Sequence, residues 1–269
     1  MHHVLTLAGH QIEMDRLNMS SRPKHDDLAR IDPVFSHSSV PNRLREITAT
    51  AFAAAEKFWQ AAFDGEHLAP RLKELILLAL HASATSINEH AIRRHVERAR
   101  AAGASEEDVL DVLLSIVGVS NHALYFAVPI LMKELDAVGH EEEAKTPALR
   151  PDIDAIKQNF IKTRGFWNDE RDLIARLMPD YFCALSELSM EPWKNGALSP
   201  KERELVYIGI DCSVTHMYGP GLALHIRNAL RNGATRNEIL EVFQLVALMG
   251  IEGYILGADA LMTGGRDQP

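Results

Sequence analysis

Two acid–imidazole pairs stand out in this 269-residue sequence: Glu74 with His95, and Glu204 with His225, at one common spacing. Glu74 lies in Arg71–Leu80, a stretch apolar on nearly every side and therefore expected to be a buried helix. A carboxylate placed there costs several kcal/mol unless a partner supplies charge or hydrogen bonds, or unless it takes up a proton. His95 shares a stripe with Ile92, Val96, Ala99 and Gly103, and His225 shares one with Leu222, Ile226, Ala229 and Gly233, the helical spacing of an inward face. An imidazole held by a carboxylate can move a proton to or from a substrate. The plain alternative is a structural ion pair in each half.

The turn between Glu and His adds chemistry unequally. Thr215-His216-Met217-Tyr218-Gly219-Pro220 offers an acid/base group and a phenolic donor, where Thr85-Ser86-Ile87-Asn88-Glu89-His90 has Ser86 and Asn88. The second copy is therefore the expected site of proton transfer, and the first is expected to bind or to pack. Arg227 could hold a substrate carboxylate if it turns inward; with Arg231, one turn on, it otherwise forms a solvated face. His122, ahead of the kink expected at Pro129, lines a cavity or simply starts a helix. His216, His225 and Glu204 have ligand chemistry that suits zinc, iron or nickel but follow no recognised metal motif, so the expectation is no metal and no cofactor.

The elements that must position these groups come in duplicate. Sliding the chain by 130 positions lays Lys73–Met132 over Arg203–Met262 without a gap. Glu74, Ser83, Thr85, His95 and Gly103-Ala104 then fall on Glu204, Ser213, Thr215, His225 and Gly233-Ala234. Shared helical composition would align leucines by accident, but not Glu, Thr, His and Gly together. The expected organisation is an irregular arm over 1–40, a first helical unit over 41–138, a linker over 139–152 and a second unit over 153–269. Gly103 and Gly233, followed by Ser105 and Thr235, predict sharp helix-to-helix turns. Helices are expected near 42–63, 70–86, 89–102, 105–118 and 120–136, then near 153–165, 168–191, 200–215, 220–232, 235–249 and 251–262.

Composition narrows the function. A hydrophobic fraction of 46% supports a sizeable core, and a net charge of −9 argues against nucleic acid, whose binding draws on clustered Lys and Arg. The longest unbroken apolar stretch, Ala123–Met132, is short for a membrane span, and no charged leader with an apolar segment is visible, so no membrane partner and a cytoplasmic location are expected. Cys183 and Cys212 are too far apart for a CxxC motif and too few for a disulfide framework.

The segments Lys201-Glu202-Arg203-Glu204-Leu205, Thr215-His216-Met217-Tyr218, His225–Thr235 and Glu238-Ile239-Leu240-Glu241-Val242 together resemble the carboxymuconolactone decarboxylase family. A fainter version runs through Lys73-Glu74-Leu75, His95, Ala99, Gly103-Ala104 and Asp108-Val109-Leu110. The resemblance spans about 65–135 and 195–263. It implies an all-α fold of two tandem AhpD-like units, with Glu74, His95, Glu204 and His225 standing where the family has its motif Glu and His. The redox branch places a CxxC pair ahead of the histidine; here those places hold Asn88 and Ala91 or Tyr218 and Gly221, which argues against thiol peroxidase chemistry. The implied activity is cofactor-free decarboxylation of a lactone acid, or another acid/base reaction such as isomerisation or hydrolysis on a small carboxylate; a binding protein on the same fold is the alternative. Single-unit relatives form trimers or hexamers, so a homotrimer is expected.

Overall fold

The computed structural model of the chain describes residues 28–263, and all regular structure there is helical. The first repeat holds α1 (Ser39–Phe63), α2 (Pro70–Ala82), α3 (Glu89–Ala101), α4 (Glu106–Ser115) and α5 (His122–Ala137). Then follow α6 (Pro151–Arg164), α7 (Asp169–Leu177), α8 (Pro179–Asn195), α9 (Pro200–Cys212), α10 (Gly219–Arg231), α11 (Arg236–Ala247) and α12 (Glu252–Thr263). Short 3₁₀ turns, Ile116–Asn121 and Leu248–Ile251, lead into α5 and α12.

Of the expected arm, residues 1–27 lie outside the described residues. Its remainder is tied down: Ile31, Val34 and Phe35 are buried, and Ser36 N donates to Asp259 Oδ2 at 2.9 Å. The single helix expected over 168–191 is two helices. Met178 leaves the helical region (φ −131, ψ 61) and Pro179 starts α8 at a position where its missing N–H costs nothing. The turns after α3 and α10 follow the sequence signals, with Gly103 at φ +96 and Gly233 at φ +86, conformations that favour glycine. Ser105 and Thr235 then form capping boxes with Asp108 and Glu238.

The α2 and α9 helices pack against each other at the centre, which is why both are apolar around their whole circumference: Leu75–Leu80 and Leu205–Ile210 are buried. They belong to one hydrophobic cluster, so the repeats share a core. Ion pairs cross between repeats with matching symmetry. Arg203 on α9 donates from Nη1 and Nη2 to the two oxygens of Asp111 on α4, at 2.5 and 2.8 Å. Its counterpart Lys73 on α2 pairs with Glu241 on α11 at 3.5 Å. Both carboxylates also accept backbone N–H groups from the opposite repeat, Leu198 to Asp111 and Leu68 to Glu241.

Helices α6 to α8 fold against α5 as a second cluster around Val128, Ile153, Ile174 and Phe182. Among the described residues this cluster stands beside the second repeat's site, and it carries Arg164, Trp167 and Arg171 towards it. Counted through their 3₁₀ turns, 106–137 and 236–263 have the length and apolarity of membrane-spanning helices, which the unbroken apolar run did not suggest. Half of the second window is enclosed by the fold, as a core helix is.

Candidate active site

The hairpins α2/α3 and α9/α10 each bring glutamate and histidine together. His95 Nδ1 donates to Glu74 Oε2 at 2.8 Å and His225 Nδ1 to Glu204 Oε2 at 2.5 Å. A second donor holds the other carboxylate oxygen: Arg98 Nε at 2.9 Å on Glu74, and Asn228 Nδ2 at 3.3 Å on Glu204. Both pairs are buried. Burial pushes both imidazoles below their ordinary pKa against the pull of the carboxylate, and so favours a neutral ring with Nε2 free.

Two turns beyond each glutamate, on the same face, stands another ionisable group: His81 on α2 and Asp211 on α9. Each is met by a residue from the other repeat. Glu252 at the start of α12 lies 3.6 Å from His81 Nε2, and His122 at the start of α5 lies 3.6 Å from Asp211 Oδ1. Acid and base have thus changed places between the two sites. His216 joins the second, its Nε2 sharing a 2.7 Å hydrogen bond with His122 Nδ1, while the Tyr218 ring stacks on His122 with centroids 3.9 Å apart. The turn that brings these two in is held by Tyr218 N donating to Asp211 O at 2.8 Å, with Met217 left-handed at φ +51; Ile87 at φ +38 does the same in the first repeat. Burial, and then the neighbouring Glu204, push the Asp211 carboxyl up to about 8, while burial and then the other histidines push His122 down to about 3.

The second site opens on a cavity, which His225 lines. In the first, Trp59 is fully buried and Arg98 lies across its ring and that of Phe63, filling the space; the corresponding positions in the second are Ser189 and Asn228. The result is a cavity of about 360 Å³ lined by His225, His122, Tyr218, Ser189 and Tyr207. Its wall carries two arginines. Arg164 lies on the Trp193 ring at 3.9 Å and 3.7 Å from Glu204, and Arg171 donates to the Tyr125 hydroxyl at 2.7 Å. Both keep a buried Nε without a partner, and among the described residues no carboxylate pairs with Arg171. Two nearly enclosed guanidinium groups facing one cavity suit an anionic ligand.

Of the residues singled out from the sequence, the cavity lining includes His225, Tyr218, His122 and Arg227, with Glu204 behind His225 and His216 behind His122. Arg227 is exposed and stands at the rim. Glu74 and His95 meet each other but are sealed, with His95 stacked on His81 at 5.3 Å. Sequence reasoning missed Asp211, His81, Glu252, Arg164 and Arg171. The two-turn spacing behind the glutamates signals Asp211 and His81, whereas the two arginines lie outside the aligned repeat and nothing local marks them.

The sequence model of the carboxymuconolactone decarboxylase family matches residues 49–121 and 179–253, more than half of the chain. Among solved structures, a candidate gamma-carboxymuconolactone decarboxylase subunit from Burkholderia xenovorans LB400 is similar, with 34% identity and a TM-score of 0.78. The match covers 90% of this chain and 98% of that one. Comparison with curated proteins gives no significant match.

Proposed function

Since this chain belongs to the carboxymuconolactone decarboxylase family, we propose that it is a carbon–carbon lyase whose second repeat decarboxylates a small lactone or cyclic carboxylic acid. The observation that carries this reading is the joint presence, around one cavity, of an unblocked imidazole on a buried carboxylate and of a buried guanidinium, Arg171, that no carboxylate pairs with among the described residues. In such a reaction the C–C bond to the carboxylate breaks, its electron pair moves towards a conjugated carbonyl, CO2 leaves, and a proton returns to carbon. Arg164 and Arg171 hold the substrate's anionic groups, with Arg227 at the rim. Tyr218 on the cavity wall supplies a phenolic donor for the developing enolate oxygen, and His216 acts from behind His122. His225, oriented by Glu204 through Nδ1, takes up a proton from water at Nε2 and passes it to the carbon. Glu74 and His95, without such a cavity, keep a structural role.

The test is a steady-state assay of a lactone acid with CO2 detection on wild type and His225→Ala. A loss of about 10²–10⁴-fold in kcat is expected for removal of a general acid/base. Unchanged turnover would remove His225 from the mechanism, and CO2 release by neither protein would remove the reaction.

A further inference from the structure

The Asp211 carboxyl is fully enclosed, and neither of its oxygens has a hydrogen-bond partner. The first repeat shows what is missing. There, the two carboxylates Glu74 and Glu252 are matched by two guanidinium groups, Arg98 and Arg94. In the second repeat the position of Arg98 holds Asn228 and that of Arg94 holds Leu224. Arg164 enters instead, but it stands 3.7 Å from Glu204 and makes no ion pair with Asp211. Of these two buried carboxyl groups only Glu204 has a guanidinium beside it, so an ionised Asp211 needs another cation to balance its charge. What surrounds Asp211 is imidazole: His122 Nδ1 and His216 Nε2 each lie 3.6 Å from Oδ1, and His225 Nε2 lies 3.8 Å from Oδ2.

We propose that His122, His216 and Asp211 form a binding site for one divalent transition-metal cation of the zinc class. The three donor atoms lie within 4.8 Å of one another, and two imidazoles with one carboxylate are a donor set such ions take. With metal–ligand bonds of about 2.0–2.2 Å, donors around a tetrahedral ion stand roughly 3.3–3.5 Å apart. Two of the three separations, both 3.6 Å, are close to that; the third, 2.7 Å between the imidazole nitrogens, widens by roughly 0.6 Å as the ion replaces their shared proton. The cluster stands between the cavity that holds His225 and a second, more apolar one of about 490 Å³ lined by His122, His216, Thr85 and Thr215, which gives an ion a way in. An ion held by three protein donors would keep a position for a ligand oxygen and, beside the first cavity that His122 lines, would supply Lewis-acid polarisation there. In the first repeat His81, His95 and Glu252 also cluster, but Arg94 already neutralises Glu252 and leaves no charge for an ion to balance. Geometry and charge favour an ion at this cluster whatever reaction the cavity supports.

The experiment uses the whole chain, stripped with a chelator and equilibrated with Zn2+ or Co2+. About one ion is retained per chain, and Co2+ gives the visible absorption of a low-coordinate nitrogen/oxygen site. Asp211→Asn, which keeps the side-chain shape, weakens binding by at least about 100-fold, beyond what loss of an outer-shell contact does. His216→Ala, at a less enclosed position, gives the same result should Asp211→Asn fail to fold. A variant with His2, His3 and His10 replaced by Ala keeps its ion, since those N-terminal histidines could bind metal by themselves. The proposal is overturned if wild type binds well below one equivalent, if that triple variant loses the ion, or if a folded Asp211→Asn or His216→Ala binds as tightly as wild type.

Discussion

At the residue scale, one exchange separates a filled site from an open one. Trp59 is buried against Phe63 in the first repeat, and Ser189 takes its position beside the cavity in the second. Ser189→Trp should therefore fill the second cavity: KM rises or activity disappears while Tm is kept or raised, measured by steady-state kinetics and calorimetry. A fall in Tm with unchanged KM would show that the indole does not enter. Arg203 and Asp111 set a different expectation, because each is buried and the pair is bidentate. Asp111→Ala leaves a buried guanidinium uncompensated and should cost about 3–5 kcal/mol by urea unfolding. A loss within experimental error would show that water or a rearranged carboxylate replaces the partner. The residues legible from sequence were the repeated Glu204 and His225, together with His122 and the unrepeated His216 and Tyr218 that set the second turn apart. Arg164 and Arg171 were not, because what makes them part of the site is the way α6 and α7 pack with α8 and α5 and so wall the same cavity as α10, a tertiary fact with no local period.

At the element scale, helix ends were easier to read than helix breaks. The Gly-Ala-Ser and Gly-Ala-Thr turns carry their own chemistry, a left-handed glycine and a capping hydroxyl, so α3/α4 and α10/α11 were legible. The break between α7 and α8 was less so, since Pro179 fits both a kink and a fresh start. Thr235→Ala should remove the bond that Glu238 N donates to its hydroxyl oxygen and cost about 1 kcal/mol, read as a shift in the denaturation midpoint. No shift would mean that solvent caps α11 equally well. Gly221 belongs to this scale too, for it lets the first turn of α10 lie directly on Asp211. A Cβ there would collide with the Asp211 carboxylate and the Tyr218 ring. Gly221→Ala should thus impair the site out of proportion to any effect on folding, with kcat/KM falling while the melting curve changes little. Equal activity would show that α10 can rise to make room.

At the scale of the whole molecule, acid stability follows from carboxylates held ionised by the fold. Hydrogen bonds from the Arg71 guanidinium lower Asp108. Burial alone would raise Asp172, but hydrogen bonds from Lys157, Arg176 and Trp167 outweigh it and bring it to about 2. A group depressed in the folded state stabilises above its unfolded pKa and loses that contribution as pH falls through the folded one. Histidines that the fold keeps neutral act earlier, His81 and His122 at about 3 among them, because the unfolded chain protonates them near pH 6.5. Stability should therefore begin to fall below about pH 6.5 and fall further from about pH 4 towards pH 2 as the carboxylates are lost, as a series of melts across that range will show; a flat profile would mean that these interactions survive in the unfolded chain. Apolar side chains left outside the core, Phe126 on α5 at 72% exposure and Leu261 on α12 at 78%, have a use if chains associate. We propose a homotrimer, six repeats in a ring; light scattering that reports a monomer at micromolar concentration would exclude it.

The exchange of His122 and Glu252 across the two halves has a further result. Each catalytic-type cluster takes a side chain from the opposite half, so neither half on its own contains a whole one. In a pair of separate, identical subunits every substitution appears twice, and a change that plugged one cleft would plug the other. Covalent fusion lifts that symmetry: one half was free to become a plug of tryptophan and arginine that braces the molecule, while its twin kept the hollow.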